Sequence, residues 1–64
     1  MIMAQKVIDI SVSGGGMFGQ YQAKARDQNG NEVAWAGGDS RDQAIARVVE
    51  KVRRAHPDAK ILYP

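Results

Sequence analysis

Apolar and polar positions change their period along this chain, and each change marks an element. From Gln5 to Val12 the residues alternate, with Ile8, Ile10 and Val12 on one side and Asp9 and Ser11 on the other. That is the pattern of a half-buried strand. Alternation returns from Gln20 to Arg26, where Tyr21, Ala23 and Ala25 face inward and Gln20, Gln22, Lys24 and Arg26 face water. A third strand is expected over Glu32 to Ala36, with Val33 and Trp35 sharing the inward face and Trp35 joining the core.

From Ser40 to His56 the period lengthens to that of a helix. Ile45, Val48, Val49 and Val52 recur at i, i+3, i+4 and i+7, and Ala44 and Ala55 widen the stripe. Ser40 is a good N-cap, with Gln43 three residues on as in a capping box. Asp39 and Asp42 favour the helix start, Arg53, Arg54 and His56 suit its end, and Pro57 stops it. Ala59 to Tyr63 then reads as a short fourth strand, with Ile61 and Tyr63 on one face. The order is β-β-β-α-β, an α+β domain spanning 1–64: a three-stranded antiparallel meander, an amphipathic helix on one face, and a short C-terminal strand.

The connections carry turn chemistry. Asp27-Gln-Asn-Gly-Asn31 is a hairpin signal, because Asn and Gly tolerate left-handed angles. Ser13-Gly-Gly-Gly16 breaks the first strand and reads as a hairpin loop. A phosphate cradle would need such a loop to open into a helix, whereas here Met17-Phe-Gly-Gln-Tyr21 leads into a strand.

Composition narrows the function. A chain of 64 residues buries only about 60% of its unfolded surface, a thin margin that self-association would widen. It has no Cys and one His, which excludes disulfides and a Cys/His zinc site. No apolar run approaches the length of a bilayer span and Met1-Ile-Met-Ala lacks a basic start, so a cytoplasmic protein is expected.

Catalysis needs a nucleophile, base or metal with partners at useful spacing. The carboxylates are scattered, and His56 suits a helix cap better than a general base. No enzyme, no cofactor and no small-molecule substrate are expected.

Candidate contacts are therefore macromolecular. Arg47, Lys51 and Arg54 form a basic ridge at i, i+4 and i+7, which is either a solvated helix face or a contact for nucleic acid or an acidic protein. Lys24 and Arg26 add a second basic surface on the outer sheet face. The apolar pair Met17 and Phe18 either packs back onto the hairpin or meets a partner.

Two families share parts of this pattern. The stretch from Gln20 to Val52, with its Asn29-Gly30 turn and Ser40-Arg-Asp-Gln-Ala-Ile-Ala helix start, resembles the strand-strand-helix half of double-stranded RNA-binding domains, whose basic helix signature is matched at Arg41 and Ala44. The full element order, with Ser40-Arg-Asp-Gln-Ala44, is similar to the partial-RNase-H-like domain of HicB-type antitoxins, which implies a protein-binding, dimerising module. The expected role is a homodimeric, protein-binding regulator or inhibitor of the kind that phages and mobile elements carry. A nucleic-acid-binding module using the basic helix face is the alternative.

Overall fold

The computed structural model describes residues 6–15 and 19–64. Five elements follow in order: β1 (Val7–Gly14), β2 (Tyr21–Arg26), β3 (Glu32–Gly38), α1 (Arg41–Ala55) and β4 (Lys60–Leu62). The fold is α+β with the β-β-β-α-β order that the periodicity predicts. The strands form one sheet in the order β3-β2-β1-β4. β1 and β2 pair antiparallel, as do β2 and β3, whereas β4 lies parallel to β1 with Ile8 opposite Ile61. A parallel neighbour requires a crossover, and α1 supplies it by carrying the chain from β3 across one face of the sheet to the far edge.

The core lies between that face and the helix. Ile8 and Ile10 of β1, Ala23 and Ala25 of β2, and Ala36 of β3 are buried against Ala44, Val48, Val49 and Val52. Valines are indifferent helix formers, so α1 owes its stability chiefly to this packing. Burying each valine contributes on the order of 1.5–3 kcal/mol. Ile45 is half-buried against the core, but Ala55 is exposed and falls outside the apolar stripe.

Both helix ends are satisfied locally. Ser40 Oγ accepts from the Gln43 amide at 3.1 Å, and Gln43 Oε1 accepts from the Asp39 amide at 2.7 Å. This is the reciprocal capping box, shifted by one residue at its return bond. At the other end the His56 amide donates to the Val52 carbonyl at 2.6 Å, before Pro57 diverts the chain.

Trp35 reverses its expected place. It is 54% exposed, whereas Val33 is half-buried against the core as expected and the inward positions that follow belong to Ala34 and Ala36. The register explains this. Ala25 pairs with Ala34 but Arg26 pairs with Glu32, so Val33 is the extra residue of a bulge, beyond which Ala34 and Ala36 meet Ala25 and Ala23. Space explains it too. A Cβ on Gly38 would stand 2.7 Å from the Ala44 backbone nitrogen, so the helix start presses directly on the end of β3. Small side chains fit beneath a helix that close, and an indole does not. Among the described residues, no helix is long and apolar enough to cross a membrane.

Candidate functional site

β3 is an edge strand, and an edge exposes a row of unpaired backbone groups. Two of its outward carbonyls are covered by the basic ridge of the helix. Lys51 Nζ donates to the Trp35 carbonyl at 2.9 Å, and Arg47 Nη1 donates to the Gly37 carbonyl at 3.0 Å. Residues 35 and 37 alternate with the rungs bonded to β2, so these two cations block continuation of the sheet. Arg54, the third member of the ridge, pairs with Glu50 at 2.6 Å, where both side chains are well exposed. Exposed pairs at this spacing contribute only about 0.3–0.5 kcal/mol.

These bonds bring the ridge to the indole. Lys51 Nζ lies 5.6 Å from the centroid of the Trp35 ring, within cation–π range. On the uncovered sheet face, Lys24 pairs directly with Trp35 across β2 and β3. Two shallow grooves meet at the indole. One, of about 350 Å³, runs along the helix side past Arg47, Lys51 and Arg54. The other, of about 380 Å³, runs over the strand ends past Gln20, Gln22 and Arg47. Trp35, Gly37 and Arg47 line both, so the two form one trough across the sheet edge.

The charge of this surface is distinctive. Lys24, Arg47, Lys51 and Arg54 stand against Asp39 and Glu50, while the remaining five Lys and Arg are balanced by five Asp and Glu. These six residues thus carry a net +2, equal to the net charge of the whole chain.

The other sequence candidates are placed differently. Arg26 shares the uncovered face with Lys24 but sits on the rung between Asp9 and Glu32, in acidic company. Met17 and Phe18 lie outside the described residues. His56 is half-buried at the helix C-cap, with Lys6 Nζ 3.4 Å from its Nδ1. Among the described residues, no group of three or more His, Cys, Asp and Glu is arranged to hold a metal ion. The opposite sheet edge carries Leu62 and Tyr63, 41% and 56% exposed, and the Tyr63 hydroxyl lies 3.4 Å from Arg53 Nη2.

Sequence reasoning finds the cations of the trough but misses its aromatic centre. One signal does point there. If Ala23 and Ala25 make room for the helix, the residues that pair with them should also be small, which places the alanines of β3 inside and Trp35 outside. Scans against family models, curated proteins and solved structures return no match, so the function rests on this geometry.

Proposed function

We propose that the chain is a non-enzymatic binding module that takes a polyanionic macromolecule on the surface around Trp35. The carrying observation is the coincidence of the chain's net positive charge with a tryptophan 54% exposed in mid-strand. Tryptophan is enriched at macromolecular contacts, and the cations around this one select a negative partner. The edge caps also hold Arg47 and Lys51 in place, which lowers the side-chain entropy that binding would otherwise cost.

Position separates this reading from general basicity. Lys24→Glu with Arg54→Glu should weaken binding to heparin at low salt by about ten-fold or more, since each lost ionic contact reduces a counterion-driven affinity. Arg41→Glu with Arg53→Glu changes net charge equally on another part of the helix and should have a much smaller effect. Equal losses in the two variants would refute the assigned surface.

A second reading, a homodimeric protein-binding regulator, has its own observation at the β4 edge. The Lys60 amide donates to the Lys6 carbonyl at 2.8 Å, which turns the backbone of Lys60 and Leu62 toward β1 and that of Ile61 away from it. Two copies could pair antiparallel about Ile61, burying Leu62 and Tyr63. Light scattering tests this directly, and a strict monomer at about 50 µM would exclude even a weak, micromolar dimer.

A further inference from the structure

From the geometry of the trough we infer that its ligand is single-stranded nucleic acid, with a base stacked on Trp35 and the flanking phosphates held by Lys24, Arg47 and Lys51. The inference rests on the polyanion reading and narrows it to one chemistry.

An aromatic ring has little to do against a duplex, whose base faces are already stacked. Against a polyanion without bases it has only sugar C–H faces to pack on, a less extended flat surface than a base offers. A single strand offers what this surface lacks: a flat apolar face for the indole and charges spaced on either side of it. Recognition of that kind combines a basic groove along the backbone with exposed aromatics under successive bases, each stacked base contributing about 1–3 kcal/mol.

The placement of charge fits this division of labour. Lys24 pairs with Trp35 on the open sheet face, Arg47 lines the groove at the strand edge, and Lys51 Nζ lies over one face of the ring, 5.6 Å from its centroid, so a base would stack on the other face. A strand crossing the indole would therefore meet a cation before and after the stacked base. Neither Arg47 nor Lys51 must leave its carbonyl to contribute. A guanidinium carries five N–H donors and an ammonium three, and each cap uses one. Gln20 and Gln22 line the same trough with amides, which can both donate to and accept from base edges. With one such ring and two neutral amides, sequence preference should be weak and salt dependence strong.

The chain has one Trp, so its fluorescence reports on the proposed contact without a label. The full chain is titrated at low salt with a ten-nucleotide oligothymidylate, a duplex of the same length, and heparin. The expected result is saturable quenching by the single strand, affinity at least about ten-fold above that for the duplex, and loss of most of that advantage in Trp35→Ala but not in Trp35→Phe. Ligand-detected affinity measurements cover the variants that lack the indole, and circular dichroism confirms that they are folded. If duplex or heparin binds as tightly as the single strand, with no quenching, the single-strand inference falls while the polyanion reading stands. If heparin binds and its affinity depends on Lys24 and Arg54, but oligothymidylate does not bind, the ligand class is wrong. If nothing binds at low salt, both readings fall.

Discussion

Trp35 and Ala36 are neighbours in the chain and occupy opposite worlds. Ala36 is 4% exposed beneath the helix, in a layer where the fully buried positions of β2 and β3 are all alanines. Trp35 points the other way, 54% exposed among cations. The inner face closes the fold, and no element packs on the outer face among the described residues. Packing therefore determines which residues lie inside, and a large residue left outside by that constraint becomes the most informative position for function.

Exchanging the two neighbours should have the largest effect. Trp35→Ala combined with Ala36→Trp keeps composition constant but forces an indole beneath α1, into a buried place that holds one methyl group opposite Ala23. Overpacking by a single methylene or two costs about 1–3 kcal/mol, and a whole indole should exceed the stability of so small a domain. Circular dichroism should show an unfolded chain at 25 °C. A cooperative melt would mean that the helix sits farther from β3 than described.

Gly38→Ala probes the same closeness with one methyl group. Its Cβ would meet the Ala44 backbone nitrogen at 2.7 Å, and backbone cannot give way as a side-chain end can. A loss of about 1–3 kcal/mol is expected in denaturant titration. Next in size is Ser40→Ala, which removes the acceptor for the Gln43 amide and should cost about 1 kcal/mol in the same assay. Trp35→Ala should cost the fold least, below about 1 kcal/mol, since it removes an exposed ring and one cation–π contact. Its midpoint should fall by no more than about 4–8 °C. A larger drop would make Trp35 a structural residue and remove the contrast with Ala36.

Much of this fold is legible in the sequence because local and tertiary demands agree. The helix from Arg41 to Ala55 is announced by its Val48-Val52 stripe, the Ser40 cap and Pro57. Alternation places Ile8 and Ile10 of β1 and Ala23 and Ala25 of β2 correctly. β3 misleads because Val33 sits in a bulge, and a bulge shifts the alternation that identifies the inward face. The cations of the site are equally visible in the helix periodicity, at Arg47, Lys51 and Arg54. Their attachment to the edge carbonyls of Trp35 and Gly37 is not, since it depends on which strand lies at the edge and how near the helix passes. Strand order, with β4 parallel to β1, is likewise a tertiary outcome that a chain read in one dimension does not encode locally.

The central claim concerns one surface, and amide chemical-shift mapping during titration with oligothymidylate at low salt locates it residue by residue. The account predicts that the largest shifts fall on Lys24, Trp35, Gly37 and Arg47 and on the indole N–H of Trp35, with Arg41, Arg53 and Leu62 nearly still. Shifts centred on Leu62 and Tyr63, or spread evenly over the helix, would contradict it.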